Sequence, residues 1–232
     1  MKTPILATGI ALLASTAMAQ DSVLIVYTYD SFVSDWGPGP QIEAAFEETC
    51  ACDLQFVGAG DGAALLARLF LEGAQTGADV VLGLDTNLIA SARAMDLIAP
   101  HGIDAESLTM PISWDDPQFL PYDWGYFAFV HGTGLENPPS NFRELADSDL
   151  RIVIQDPRSS TPGLGLLMWV KAAYGDEAAS IWEGLADNIV TVTPGWSEAY
   201  GLYLEGEADM VLSYTTSPAY HLIAEEDDSH TV

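Results

Sequence analysis

Short apolar runs rich in β-branched residues alternate with amphipathic segments along the first hundred residues. The first pattern is typical of strands, and the second of helices. The alternation predicts strands at residues 23–27, 54–57 and 79–84 and helices at residues 40–48, 62–72 and 88–95. Strands that alternate with helices of about ten residues form βαβ units around a parallel sheet that is covered on both faces. We therefore predict an α/β fold.

The alternation breaks at residues 111–123, where prolines, Trp114 and acidic residues are concentrated. The extended apolar segment "YDWGYFAFVH" then leads into a second α/β set. This set contains predicted strands at residues 151–154, 189–192 and 210–214 and predicted helices at residues 142–146, 162–174, 177–185 and 197–204. The sequence thus predicts two lobes, residues 20–128 and 129–232, joined by extended segments. We expect a hinge near residues 126–130 and 214–220.

The N-terminal segment has the organisation of a secretory signal peptide. Lys2 precedes an apolar run that continues through Leu13, and Ala17-Met18-Ala19 forms a small-residue cleavage pattern. The run is shorter than the ~20 apolar residues of a membrane span. We expect cleavage after Ala19 and export of the protein to the periplasm.

The composition is strongly acidic, with 34 aspartate and glutamate residues against 7 lysine and arginine residues and a net charge of −27. Such a chain is not expected to bind nucleic acid, whose phosphates it would repel. The acidity either keeps the protein soluble or attracts a cationic ligand. Composition alone does not decide between these two interpretations.

Cysteine and histidine give little indication of metal binding. Cys50 and Cys52 are the only cysteines, and their spacing allows a small disulfide in an oxidising compartment or a metal contact in a reducing one. The four histidines share no ligand spacing with these cysteines or with one another. We therefore predict surface or hydrogen-bonded histidines and no metal site.

Aromatic, hydroxyl and glycine residues recur directly after the predicted strands, which is where open α/β sheets bind ligands. They occur in "YTYDSFVSDWGPGP", "GAGDG", "QDPRSSTPGLG", "TPGWS" and "SYTTSPAY". Tyrosine and tryptophan faces suit a flat ligand and attract positive charge by ~0.5–2 kcal/mol per contact. Asp30, Asp35 and Asp61 add possible ionic partners. A single tyrosine or tryptophan near a strand end more often packs in the core or at its rim, but the cluster favours a binding site.

The segment around Ser160 offers a different kind of contact. Thr161 fits a helix N-cap with Pro162 at the first helical position, which leaves free backbone N–H groups for an anion such as phosphate. The nearby Arg158 supports an anion site. An ordinary helix cap explains the same residues.

Catalytic motifs are weak in this sequence. The "GAGDG" loop resembles a dinucleotide-binding loop, but Ala63 stands where the third glycine of G-x-G-x-x-G is needed. The G-x-S-x-G nucleophile motif does not occur. Carboxylate pairs carry no information in so acidic a chain. We therefore expect a binding protein and no catalytic residues.

Five long segments carry a resemblance to a known family: "VYTYDSFVSDWGPGP", "ADVVLGLD", "YDWGYFAFV", "QDPRSSTPGLGLL" and "GWSEAYGLYLEGEADMVLSYTTSPAYH". They resemble the thiamine-binding receptors of bacterial thiamine ABC importers, which are type II periplasmic solute-binding proteins. The resemblance implies a two-lobed, monomeric receptor that closes on thiamine, thiamine monophosphate or thiamine diphosphate. Such a receptor delivers its ligand to a membrane permease and uses no cofactor.

The same resemblance implies a set of ligand-binding positions. Thiamine combines a flat aminopyrimidine, a cationic thiazolium and, when phosphorylated, an anionic tail. By similarity the ligand contacts fall on Asp61, Gly62, Ser160, Thr161, Trp196, Tyr214, Thr215, Thr216 and Ser217. Tyr29 and Trp36 are expected to complete an aromatic wall, with Tyr220 as a further candidate.

Members of this family continue beyond the position that matches Val232, so we expect lobe 1 to lack a returning C-terminal segment. Two other functions fit the residue pattern. One is a receptor for another small solute, such as a polyamine or chelated iron. The other is an exported α/β enzyme that acts on a phosphorylated substrate.

Overall fold

The structure is a computed structural model that describes residues 22–104 and 108–232. The predicted signal peptide and its cleavage after Ala19 lie outside the described residues. The strands are β1 (Ser22–Thr28), β2 (Cys52–Gly58), β3 (Val80–Val81), β4 (Phe127–Gly132), β5 (Ile152–Gln155), β6 (Ile189–Thr193), β7 (Met210–Tyr214) and β8 (His230–Thr231). The helices are α1 (Asp30–Val33), α2 (Gly39–Cys50), α3 (Gly62–Glu72), α4 (Ile89–Ala94), α5 (Phe142–Ala146), α6 (Thr161–Tyr174), α7 (Ala178–Leu185), α8 (Trp196–Leu204) and α9 (Ser217–Tyr220).

Lobe 1 is built on a parallel sheet with the strand order β2, β1, β3. Tyr27 of β1 packs against Leu65 and Leu69 of α3, which are 0% and 2% exposed. These two leucines lie four residues apart and therefore on one face of the helix. The three strands run in the same direction, so the loops that follow them meet at one edge of the sheet.

Lobe 2 is built on a five-stranded sheet with the order β6, β5, β7, β4, β8. β5 is parallel to β6 and β7, but β4 is antiparallel to both β7 and β8. The prediction of a purely parallel sheet is therefore wrong for this lobe. A strand that is buried on both faces has the same apolar pattern whichever way its neighbour runs, so the sequence pattern cannot reveal the antiparallel pairing.

Helices cover both faces of the sheet in lobe 2. Ile152 and Leu212 point towards α6 and α7, where Leu166 and Leu185 are buried. Val130, Val153 and Val211 point to the opposite face, where α8 supplies Ala199, Tyr200 and Tyr203. Because side chains alternate along a strand, one short run of apolar residues serves both cores. Lobe 2 therefore holds α6 and α8 rigidly from opposite sides.

Two element boundaries near the end of β1 differ from the prediction. The strand expected at residues 79–84 is shortened to Val80–Val81, because Gly83 has a φ of +105° that a strand does not allow. A Cβ atom at Gly83 would lie 2.3 Å from Cδ1 of Tyr29, so only glycine fits there. The short helix Asp30–Val33 was not predicted, because four residues show no helical period.

The last part of the chain is more helical than expected. The segment 214–220 was predicted to be extended, but β7 ends at Tyr214 and α9 begins at Ser217. A π-helical turn, His221–Glu225, and the short strand β8 follow. The division into lobes at residues 128 and 129 falls within β4 and stays a prediction.

Cys50 and Cys52 form a disulfide, which is the first of the two alternatives that their spacing allows.

Within residues 22–104 and 108–232, the structure has no helix that is both long and apolar enough to cross a membrane.

Replacing Phe32 with alanine should destabilise lobe 1. Phe32 is 0% exposed and packs edge-on against Tyr29, Phe56 and Tyr122. Loss of a buried phenylalanine costs about 3–5 kcal/mol of unfolding free energy. Urea unfolding measures this cost. Phe46→Ala is the control, because Phe46 is 42% exposed on α2 and should cost less than about 1 kcal/mol; equal losses in the two variants would contradict the prediction.

Candidate functional site

A large cleft lies between the two lobes. Its volume is about 1530 Å³, which exceeds the ~300–1,000 Å³ of an ordinary small-molecule pocket. Tyr29, Asp61 and Asp85 line it from the loops after β1, β2 and β3, and Trp196 and Tyr214 line it from lobe 2. The cleft therefore opens at the strand ends of lobe 1, which is where the sequence pattern predicts a ligand.

The two lobes meet through a pair of side-chain hydrogen bonds. The Ser160 hydroxyl donates to Oδ2 of Asp61 at 2.5 Å, and the Thr161 hydroxyl donates to Oδ2 of Asp85 at 2.6 Å. Both carboxylates belong to lobe 1 and both hydroxyls to the start of α6 in lobe 2. The predicted N-cap at Thr161 is off by one residue, since Ser160 is the N-cap and Thr161 the first helical residue.

Asp61 lies among several backbone and side-chain donors. Its Oδ1 accepts from the Gly62 amide at 3.2 Å and so caps α3. Burial raises the pKa of the Asp61 carboxyl above its ordinary value of 3.8, although hydrogen bonds from Ser160, Gly62 and Trp196 act against this rise. These hydrogen bonds do not fully offset the effect of burial on the pKa of Asp61. No cationic side chain is among the groups that shift this pKa.

Gly62 is a point of close approach between the lobes. A Cβ atom at this position would lie 2.6 Å from Oγ1 of Thr161 and 3.2 Å from the Gly83 carbonyl oxygen. Gly62 is buried, and its backbone does not have a positive φ. Glycine is therefore required here by the space between the lobes and not by backbone conformation.

Aromatic side chains from both lobes form a wall of the cleft. The Trp36 ring of lobe 1 lies 5.8 Å from the Trp196 ring and 6.3 Å from the Tyr220 ring of lobe 2, measured between centroids. Trp196 donates from Nε1 to the Ser213 hydroxyl at 2.8 Å. Trp36 is 50% exposed, so a ring face is free to meet a ligand.

A second layer of rings supports Trp196 from behind. Tyr200 stacks on Trp196 with 4.9 Å between ring centroids, and its hydroxyl is 2.9 Å from Nε2 of His221. Nδ1 of His221 is 2.6 Å from Oε2 of Glu225, and the histidine is 3% exposed. Both ring nitrogens of His221 are thus hydrogen-bonded, one to Tyr200 and the other to Glu225. The network fixes the angle of the Trp196 ring.

Tyrosines and a carboxylate meet at another part of the cleft. The hydroxyls of Tyr29 and Tyr122 are hydrogen-bonded to each other. Burial raises the pKa of Tyr214 and of the Asp123 carboxyl above their ordinary values, and the Tyr122 hydroxyl partly offsets the rise for Asp123. Sequence reasoning missed Tyr122 and Asp123, because the proline-rich segment around them follows no predicted strand.

The lining of the cleft is acidic. It contains no lysine or arginine among the described residues but carries Asp61, Asp79, Asp85, Asp123 and Glu225. Arg158, considered as support for an anion site, instead pairs with Asp156 and has a side chain that is 87% exposed. A concave site with one sign of charge concentrates ions of the opposite sign. The cleft is therefore suited to a cation.

Most of the predicted ligand-binding residues line this one cleft: Tyr29, Trp36, Asp61, Thr161, Trp196, Tyr214, Thr216, Ser217 and Tyr220. Gly62 and Ser160 instead lie buried at the contact between the lobes. Thr215 is exposed, and its amide donates to the Tyr126 carbonyl. Whether each residue touches a ligand stays a prediction.

Two α/β lobes that share a cleft lined by aromatic and acidic side chains define a receptor for a small solute. The chain belongs to the bacterial extracellular solute-binding protein family, whose model matches residues 39–229. The two-lobed fold expected from the sequence is thereby confirmed.

Similar proteins support the resemblance stated from the sequence. A thiamine-binding periplasmic protein of Brucella abortus is 55% identical over 221 residues, which cover 94% of this chain and 66% of that protein. The protein of the same name from Escherichia coli K12 is 52% identical over 222 residues, covering 94% of this chain and 68% of the relative. A solved structure of a periplasmic thiamin binding protein superposes with a TM-score of 0.89 at 51% identity, covering 96% of this chain and 70% of that one. This chain thus spans about two thirds of the length of the curated relatives it matches.

Replacing Gly62 with alanine should hold the cleft partly open. The added methyl group would overlap Oγ1 of Thr161 and force the lobes apart. Small-angle X-ray scattering should therefore give a larger radius of gyration for this variant. The thermal transition should not fall because of backbone strain, since alanine is favoured over glycine at a helical φ by roughly 0.5–1 kcal/mol. Gly134→Ala is the matched control, because nothing lies within 4 Å of its Cβ position. An unchanged radius in Gly62→Ala would contradict the close contact.

Proposed function

We propose that this protein is a periplasmic receptor that captures thiamine and delivers it to the permease of an ABC importer. The observation that carries the proposal is the combination of aromatic faces and carboxylates, without lysine or arginine, in one cleft between two lobes of the described chain. Thiamine combines a flat aminopyrimidine ring with a cationic thiazolium ring. The names of the Brucella and Escherichia relatives support the same ligand.

Each part of the ligand has a suitable counterpart in the cleft. The Trp36 and Trp196 rings contact each other at 56°, with 5.8 Å between centroids, so a flat ring would stack on the exposed side of this pair and not between the two rings. A cation over an indole face gains ~0.5–2 kcal/mol, depending on how far water is excluded. Asp61 and Asp123, whose pKa values are raised by burial, lack a cationic partner among the groups that shift them. A cationic ligand would supply that partner and favour the ionised carboxylates.

We extend the proposal to thiamine monophosphate and thiamine diphosphate. Ser160 and Thr161 carry hydroxyls at the start of the 14-residue helix α6, whose positive end favours an anion. In the structure both hydroxyls already donate to carboxylates. A phosphate at this position would have to replace at least one of these acceptors.

Ligand capture on this model proceeds by closure of a monomeric receptor. Residues of both lobes line the cleft, and a ligand that touches both lobes binds the closed state more tightly and shifts the population towards it. The proposed hinge comprises segment 126–130, where the chain enters the sheet of lobe 2, and segment 214–220, which follows β7 in that sheet. The closed receptor is then the form that a permease distinguishes from the open one.

Two other classes of function remain as competitors. A receptor for a polyamine would also use carboxylates and aromatic faces. Direct coordination of iron is less well supported, because the described residues contain no group of three or more histidine, cysteine, aspartate or glutamate side chains placed to hold a metal. The second class is an enzyme that acts on a phosphorylated substrate.

Calorimetric titration of the purified protein with thiamine, its two phosphates, spermidine and ferric citrate separates these functions. We expect saturable, one-to-one binding of thiamine and weaker or absent binding of spermidine and ferric citrate. A parallel assay for phosphate release from thiamine diphosphate should show no turnover. Tight binding of spermidine without binding of thiamine would overturn the proposal, and so would sustained phosphate release.

Replacing Trp196 with alanine should weaken thiamine binding by ~1–3 kcal/mol, about 5- to 150-fold in dissociation constant, because a stacked face and its buried area are lost. Quenching of tryptophan fluorescence by thiamine should also diminish. Trp169→Ala is the matched control, because Trp169 packs on Phe142 in lobe 2 and does not line the cleft. An unchanged dissociation constant in a folded Trp196→Ala variant would remove Trp196 from the site.

A further inference from the structure

The side chain of Asp85 is held in place by a hydrogen bond within lobe 1. It follows β3 in the loop that leads to α4, and its Oδ1 accepts from the Asn87 amide at 2.8 Å. This bond closes a local turn of the kind that aspartate stabilises at the start of a helical segment. The second carboxylate oxygen, Oδ2, remains available and points towards the opposite lobe.

The partner of this oxygen is equally well anchored. Thr161 donates from Oγ1 to Oδ2 of Asp85 at 2.6 Å, across 76 positions of sequence. Thr161 begins α6, and that helix is fixed in the core of lobe 2 by Leu166 and Val170, which are 1% and 0% exposed. Since both ends of the bond are on rigid elements, a small relative movement of the lobes must break it.

The surroundings of this bond are made of protein from both lobes. A Cβ atom at Gly62 would lie 2.6 Å from Oγ1 of Thr161. The Thr161 hydroxyl thus lies between Gly62 and Asp85, both in lobe 1. The parallel bond joins Ser160 and Asp61, which are both proposed to contact ligand; Thr161 is also proposed to do so, whereas Asp85 is not.

We propose that the hydrogen bond from Thr161 to Asp85 is a closure contact that forms when the lobes shut and retains the ligand by slowing its release. Asp85 is then a positioning residue of the receptor. This inference rests on the proposed function for its ligand, thiamine. A contact made only in the closed state stabilises the closed complex relative to the open one and therefore acts mainly on the dissociation rate.

The expected effect follows from the chemistry of the bond. A hydrogen bond to a carboxylate is stronger than one between neutral groups. Its loss should speed the release of thiamine by roughly 10- to 100-fold. The rate of association should change much less, because the open receptor that first meets the ligand does not contain the bond.

A double-mutant cycle with Thr161→Val and Asp85→Ala tests the inference. Stopped-flow fluorescence measures the dissociation rate of unphosphorylated thiamine from the wild type, both single variants and the double variant. We expect each single variant to release thiamine faster and the double variant to release it no faster than the singles, since either change already removes the bond. Thr161→Ser and Asp85→Asn should restore slow release in large part, because each keeps a hydroxyl donor or an oxygen acceptor.

One further variant makes the result specific. Asp53→Ala, which removes a carboxylate that bonds to Gln55 within lobe 1, should release thiamine at the wild-type rate. Thr161→Val leaves the bond between Asp85 and the Asn87 amide intact, so it remains informative if Asp85→Ala disturbs the turn.

Multiplicative effects of the two substitutions on the dissociation rate would overturn the inference. So would an effect of Thr161→Val that is confined to phosphorylated thiamine, because that result would make Thr161 a phosphate contact. If the wild-type protein does not bind thiamine, the proposed function fails, and the closure contact is tested by the same cycle with whichever of the titrated solutes binds. Equal release of that solute from Thr161→Val and Thr161→Ser would then refute the contact.

Discussion

The architecture depends on the close contact between the lobes at Gly62. There the start of α3 in lobe 1 meets the start of α6 in lobe 2, with no room for a side chain between them. Asp61 and Asp85 accept hydrogen bonds from Ser160 and Thr161 on either side of this point. The loops after β2 and β3 in lobe 1 thus meet the start of α6 in lobe 2. In the same arrangement the aromatic residues of the two lobes meet, with 5.8 Å between the centroids of the Trp36 and Trp196 rings.

The electrostatics of the cleft follow from the same arrangement. Carboxylates that bridge the lobes are partly removed from water, and burial raises the pKa of Asp61. Elsewhere on the surface, aspartates such as Asp156 and Asp209 pair with arginines, which lower their pKa values. The contrast distinguishes aspartates that pair with arginines from buried carboxylates that have no cationic side chain among the groups that shift their pKa. The overall acidity of the chain therefore has two origins, and only the second concerns ligand binding.

Aromatic residues divide in a similar way. Trp36 presents a half-exposed ring to the cleft, whereas Tyr200 and Tyr203 are buried against the sheet and bond to His221 and His230. The first kind can contact a ligand, and the second kind holds Trp196 in place. A π-helical turn and β8 carry the two histidines, so the last described residues support the cleft wall from outside.

The sequence by itself determined the α/β class, most helices and strands, and the concentration of aromatic and hydroxyl residues after strands. These features are encoded within about ten neighbouring residues, where apolar periodicity is visible. The resemblance to a receptor family indicated a ligand class and nine residues that line the cleft. Only the tertiary structure decided that β4 runs antiparallel to β7, that Gly62 is a contact between lobes, and that Asp85 meets Thr161. Such contacts join residues far apart in sequence, and they depend on the relative placement of two separately folded cores, which no local pattern specifies.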